Sequence, residues 1–224
     1  RNPIRYVAHR QVFEAVRKEM TSNRQPCVIF VHGFNVSFRD AILGAVAMKR
    51  AYSTLPMTLF LFTWPSDGSM LPYIAYASDR DDARASGVAL GRGLQKLSHY
   101  LREIPSDEYC GQDLHLCAHS MGNYAVRWAL QSIKSSAGSS IRRHFEQILL
   151  FAADEDDDAF ELEHKLLTLP DMAKRVTVYH NPSDKALIIS DTTKANPDRL
   201  GAGGPRNSRA LPDKVSVVNC EPVN

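Results

Sequence analysis

Residues 116–125 read LCAHSMGNYA. Leu116, Cys117 and Ala118 close an apolar run, and beyond Ser120 the residues Met121, Ala125, Trp128 and Ala129 recur at helical spacing. A serine therefore stands where a strand passes into a helix, with Ala118 two residues before it and Gly122 two residues after it. A bend that tight brings those flanking positions together, so both must be small, and it lifts the serine hydroxyl above the sheet. The hydroxyl then lies at the amino end of a helix, where the dipole and free N–H groups favour developing negative charge. Ser120 is expected to be a nucleophile. The plainer alternative, a serine that only caps the helix, is weakened by the strand before it and the helix after it.

Working outward, apolar runs at 27–31, 58–62, 114–118, 147–152, 176–179 and 215–218 have the composition of buried strands. Between the first two, Ser37 and Asp40 form a capping box, and Phe38, Ala41, Ile42, Ala45 and Met48 fall on one helical face. Between the second and third, Leu90, Leu94, Leu97, Leu101 and Ile104 step by four and three, while Gly87 and Gly91 leave backbone bare for close approach to a sheet. Strand and helix in alternation predict an α/β fold, a mostly parallel sheet joined by right-handed crossovers and covered by helices on both faces. The whole chain is expected to form one domain with its core over about 26–220, and residues 1–25 an N-terminal extension with a strand and a helix. Two segments interrupt the alternation. Residues 64–82 leave the carboxyl end of a strand, which predicts a substrate-side role; residues 191–213, rich in Gly, Pro, Asn and charge, predict a surface excursion.

Composition narrows the function classes. Of 224 residues, 44% are apolar and 23% charged, and 27 basic against 25 acidic side chains leave a net charge of +2, too little to argue for nucleic acid or an anionic membrane. The longest apolar runs, CVIFV and LFLF, fall far short of a spanning helix of roughly 18 residues. Cys27 and Cys117 sit inside strand-like runs, whereas any pairing of Cys110 with Cys220 is undecided by sequence. Free thiols lean toward a reducing, cytoplasmic compartment, although a chain opening on Arg1 leaves room for an upstream leader.

A second motif supports the first. VIFVHGFN, residues 28–35, places His-Gly directly after the leading strand. In lipases and esterases such a turn supplies one oxyanion donor, the N–H of the residue after the glycine, here Phe34; the N–H after the nucleophile, Met121, supplies the other. His32 is expected to be structural, bonding loop backbone. Trp64, Tyr73 and Tyr76 follow the LFLFT strand and are candidates to line a substrate pocket or simply to pack. Asn123 is expected to be an ordinary first-turn helix residue. In the acidic run Asp154–Asp158 no EF-hand spacing is present, and acidic residues opening a helix suit its dipole.

With these motifs in order, VHGFN, FTWPS, AHSMGNYA, ILLFAADED and RVTVYHNPSDKAL, the chain resembles the α/β-hydrolase superfamily from about Pro26 to Cys220, and more narrowly a bacterial branch of α/β hydrolases of unknown function. The resemblance implies a Ser–acid–His triad and hydrolysis of an ester-like bond, without a defined substrate. It implies Asp184, after RVTVYH, as the triad acid, ahead of Asp154 after ILLFAA. The order Ser, acid, His places the base after Asp184, yet residues 185–224 contain no histidine. The expectation is that the histidine loop and a last helix lie beyond Asn224, and that these 224 residues alone are almost inert. Within the chain, His180 is a weak substitute; His119 is expected to point away from the serine. His115 is expected to be packed, and His9, His99, His144 and His164 to be capping or solvated.

The expected activity is cleavage of carboxylic esters, of small molecules or of lipids, through an acyl-enzyme on Ser120, with no metal or organic cofactor. A thioesterase or lipid-active hydrolase would share this machinery. The alternative from another class is a non-catalytic scaffold that binds without cleaving. Serine at the elbow argues against an aspartate-nucleophile dehalogenase or epoxide hydrolase. Oligomeric state is not legible.

Overall fold

The strands lie where the apolar runs placed them. The computed structural model describes residues 3–66, 72–137, 141–184 and 198–221, without the side chains of 3–8, 72–75 and 137. Its elements are α1 (Pro3–Asn23), β1 (Cys27–Val31), α2 (Phe38–Ala51), β2 (Thr58–Phe62), α3 (Pro72–Glu103), β3 (Leu114–His119), α4 (Gly122–Ala137), β4 (Phe145–Phe151), β5 (Ala173–His180) and β6 (Val215–Asn219), with short helical turns between them. The six strands form one sheet in the order β2-β1-β3-β4-β5-β6, every neighbouring pair parallel. The chain steps from β1 outward to β2, then returns to the other side of β1 with β3. Right-handed crossovers therefore put α2 on one face and α3 and α4 on the other. The reversal leaves a crevice at the carboxyl ends of β1 and β3, where open parallel sheets bind ligands.

One face is the core. Register aligns Ile29, Leu116, Ile148 and Val176 in one rank and Val31, Ala118, Leu150 and Val178 in the next. All are buried, and they pack with Leu90, Leu94, Ala125, Ala129 and Leu130 of α3 and α4. Each large aliphatic buried there contributes roughly 1.5–3 kcal/mol. The other face is more polar, with the rank Val28, His115, Gln147 and Arg175.

Several expectations change. Residues Pro3–Asn23 form one helix, where a strand and a helix were expected. It is tied to α3 by Tyr100 Oη, which donates to Glu14 at 2.6 Å. The Ser37–Asp40 cap forms as expected, but α2 buries Ala41 and Ala45 while Phe38 (68%) and Ile42 (42%) stay exposed. Small side chains let that helix lie close to the sheet, so its larger ones turn outward. Gly87 and Gly91 admit a helix, not a sheet: the space a Cβ would take is filled by the Ala125 and Ala129 carbonyls and by Trp128. Of the interrupting segment 64–82, the part from Pro72 on is the start of α3. In the second, Arg199 and Leu200 are buried at 1% and 0%, so this part is no surface excursion; residues 191–197 lie outside the described residues. All four cysteines are free thiols, and burial pushes those of Cys27 and Cys117 up to about 12.

Candidate functional site

Ser120 follows β3 with φ of 50°, a left-handed backbone that a non-glycine residue adopts only under local constraint. The constraint can be read from its neighbours. A Cβ on Gly122 would stand 2.6 Å from the carbonyl oxygens of Val31 and His32, and one on Gly33 would stand 2.9 Å from Ser120 Cβ. Both glycines are therefore required by close approach of the two loops. Asn123, fully buried, braces the bend: its side-chain amide donates to the Ser120 carbonyl at 2.9 Å and to that of Phe151 at 3.2 Å. The Asn123 and Asp154 N–H groups donate to the same Ser120 carbonyl. Asn123 was expected to be an ordinary helix residue; as a support of the bend it was missed.

The loop after β1 lies opposite. His32 is buried and stacks on Trp64 with ring centroids 5.2 Å apart. Its Nδ1 lies 3.0 Å from the Gly33 carbonyl and its Nε2 accepts from the Trp64 N–H at 3.2 Å, a neutral tautomer bonded at both nitrogens. Burial holds its pKa below the ordinary value. The structural role expected for His32 matches these contacts. Trp64, a candidate for lining a pocket, is only 4% exposed, and its indole N–H donates to the His32 carbonyl at 2.9 Å. It has almost no surface left for a substrate, because its ring is the platform for His32. Among the described residues, the N–H groups of Phe34 and Met121 donate to no protein acceptor. The next N–H groups along the loop are taken. Asn35, with φ of 56°, donates to Asp79 Oδ2 at 3.4 Å, and Val36 donates to Ser66 Oγ at 3.3 Å. Ser66 in turn donates to the same Asp79 oxygen. Asp79 is completely buried on α3. Sequence reading missed it; the faint signal was an aspartate inside an otherwise helical run that follows FTWPS.

Tyr76 joins two parts of the site. Its ring meets Phe34 edge-on at 5.6 Å and its hydroxyl donates to Asp154 Oδ2 at 2.6 Å. Tyr73 belongs to the side chains outside the described residues. Asp154 is buried, with Arg199 Nε at 3.4 Å and Arg80 at 3.9 Å. Its carboxylate thus belongs to an ion cluster. Asp184 instead closes a turn just past β5, its N–H donating to the Asn181 carbonyl at 3.0 Å.

Besides His32, two imidazoles stand at this edge of the sheet. His180 Nδ1 lies 3.0 Å from the Ala202 carbonyl, and its ring covers Gly204. His119 Nδ1 and Ser120 Cβ both lie about 3 Å from the point a Cβ on Gly33 would occupy, which puts them within about 6 Å of each other. Both residues thus pack against Gly33. The protein around its ring lowers the pKa of His119, and the Asp184 carboxylate pulls the other way.

A family model described as an alpha/beta hydrolase of unknown function matches residues 8–224. Among solved structures, the chain is similar to lipase B of Aspergillus fumigatus, with 10% identity, TM-score 0.47, 90% of this chain and 46% of that one covered. It is also similar to the phospholipase PlaB of Legionella pneumophila, with 19% identity, TM-score 0.32, and 58% and 25% covered. The chain thus spans about half the length of the first and a quarter of the second. Comparison with curated proteins gives no match. No described helix is long and apolar enough to cross a membrane.

Proposed function

The chain belongs to the α/β hydrolases of unknown function, and within that family we propose a serine hydrolase that cleaves carboxylic esters through an acyl-enzyme on Ser120. The observation that carries this is the left-handed Ser120 packed against Gly33, with the N–H groups of the following residues Phe34 and Met121 donating to no acceptor among the described residues. Ser120 Oγ adds to the ester carbonyl carbon while its proton passes to an imidazole. The carbonyl oxygen, now negative, accepts from Phe34 and Met121, a pair of fixed donors each worth about a hundred- to a thousandfold in rate. The imidazolium returns the proton to the departing alcohol, and water then releases the acid by the same steps in reverse. Asp184 is the carboxylate that orients the imidazole. Its position just past β5, after the serine in chain order, supports this reading, and Asp154 is engaged by Tyr76, Arg80 and Arg199. Small-molecule and lipid esters, and thioesters, share this chemistry and differ in the pocket they require.

The test is a series of chromogenic esters of increasing acyl length, with a fluorophosphonate probe, on the full-length protein and on its Ser120→Ala variant. Labelling at Ser120 and loss of hydrolysis in the variant are expected; unchanged hydrolysis in Ser120→Ala overturns the proposal. Chain order assigns the base to neither His119 nor His180, so His119→Ala and His180→Ala should each cost less than about tenfold, against the 10⁴–10⁶ that removing a triad member costs. The other reading, a scaffold that binds without cleaving, draws on the commitment of His32 and His180 to their own loops. It predicts no labelling of Ser120 at any acyl length.

A further inference from the structure

At the opposite end of the sheet from Ser120, a cavity of about 280 Å³ opens between the last turns of α3 and α4 and the first residue of β4. This is near the lower bound of ligand sites, about 300 Å³. Its floor is apolar, formed by Leu94, Ile133 and Phe145, all buried. Its rim is basic: Arg102, Arg142 and His144 line the same opening. His144 Nε2 is buried and has no hydrogen-bond partner among the described residues. Burial lowers the pKa of His144, and Arg142 and Arg102 push it the same way, so positive potential converges there. Of the nearby carboxylates, Glu103 pairs with Arg10 and His99 and Glu146 with Lys174, while Asp171, beside the lining residue Met172, leaves one negative group at this rim against its three basic side chains. Arg102 spends one nitrogen on the Ser98 carbonyl and another on His99, which leaves part of its fork for a ligand.

An apolar floor beneath two guanidinium groups and an unpartnered ring nitrogen matches one kind of ligand. We infer that this cavity binds an amphipathic carboxylate, its chain against Leu94, Ile133 and Phe145 and its head between Arg142, Arg102 and His144. A guanidinium pairs a carboxylate through two parallel hydrogen bonds, and the charge-assisted contact is stronger than any an alcohol could make there. The site is separate from the ester chemistry proposed for Ser120 and stands whether or not that chemistry is found.

The experiment is titration of the full chain with octanoate, octanol and acetate, read by NMR shifts of the Leu94 and Ile133 methyl groups. Octanoate should shift both saturably, with octanol and acetate each at least about tenfold weaker, because each lacks one half of the recognition. Arg142→Gln should weaken octanoate by about tenfold or more, and Arg102→Gln, on an exposed residue that should not disturb folding, should weaken it in the same direction. Ser120→Ala should leave these shifts unchanged. The inference fails if octanol binds as tightly as octanoate, if both arginine variants bind octanoate like the parent, or if octanoate moves only resonances near Ser120.

Discussion

At the scale of single residues, the decisive feature is how much of the protein is spent on leaving two N–H groups unspent. Asn123 and Asp154 secure the carbonyl of Ser120, while Asp79 and Ser66 take the N–H groups of Asn35 and Val36 just beyond Phe34. A fully buried carboxylate is costly to keep unless its hydrogen bonds are worth more than its lost hydration. In Asp79 they fix a loop whose Asn35 already holds a left-handed backbone. Under the ester chemistry proposed above, Asp79 is a positioning residue, acting through the loop that carries the Phe34 N–H. If the proposed ester chemistry holds, Asp79→Ala should lower kcat by about ten- to a hundredfold, part of the loss from removing one oxyanion donor outright. KM should change by less than about threefold, since the donor acts mainly on the transition state. Steady-state kinetics with one chromogenic ester measure both, and an unchanged kcat would remove Asp79 from this role.

At the scale of elements, α3 and α4 meet through glycines. A Cβ at Gly87 would lie 2.5 Å from the Ala125 carbonyl oxygen and 2.6 Å from Trp128 Cβ, backbone and near-backbone atoms that cannot swing away. Gly93, on the same helix, has nothing within 4 Å of the corresponding point. Identical substitutions should therefore have opposite signs. Gly93→Ala should stabilise by about 0.5–1 kcal/mol through helix propensity and a less free unfolded chain. Gly87→Ala should destabilise by about 1–3 kcal/mol, the cost of overpacking exceeding that same gain. Urea midpoints of the two variants decide it, and a stabilised Gly87→Ala would refute the close packing of these helices. The pair also shows what sequence could reveal. Strands were legible because a buried parallel strand needs an unbroken apolar run, and the bend at Ser120 because the small residues it requires are local in sequence. The partner of Gly87 was not, since spacing says that backbone is bare without saying what approaches it. Likewise Phe38 and Ile42 scored as core by hydrophobicity, while the fold selected Ala41 and Ala45 for their size. Asp79 and Arg199 escaped because burial of a charge depends on partners far away in the chain.

At the scale of the whole molecule, the half of the sheet beyond β3 is tied together by ions as well as by apolar packing. Asp156 pairs with Arg199 at 2.8 Å and with Lys165 at 2.8 Å, Asp157 with Arg206 at 2.9 Å, and Glu155 with Arg127 at 3.2 Å. Backbone bonds from Leu200 to Glu155, from Gly201 to Ala153 and from Asn181 to Gly201 run through the same region. The segment after β4 thereby holds the segment leading to β6 in place. Within this cluster Glu155 is the weak point. Its side chain is fully buried, and burial raises its pKa from 4.5 to about 7 even with Arg127 beside it. Below about pH 4.5 the group is protonated in both the folded and unfolded chain and contributes no pH dependence. Between that pH and about 7 the folded chain holds the proton more tightly, so stability falls as pH rises, by at most about 3 kcal/mol across the interval. Asp156, whose pKa is lowered chiefly by its hydrogen bond and ion pair with Lys165 against the opposing effect of burial, has the reverse dependence at more acid pH. That dependence is common to both proteins when Glu155→Gln is compared with the parent, so it drops out of the difference. The variant should equal the parent within about 1 kcal/mol near pH 4.5 and exceed it progressively up to pH 8, with Arg127 retained by the rings of Tyr124 and Trp128. Denaturant unfolding at intervals across that range would show two curves that diverge with rising pH; parallel curves would mean that Glu155 is ionised in the folded protein throughout.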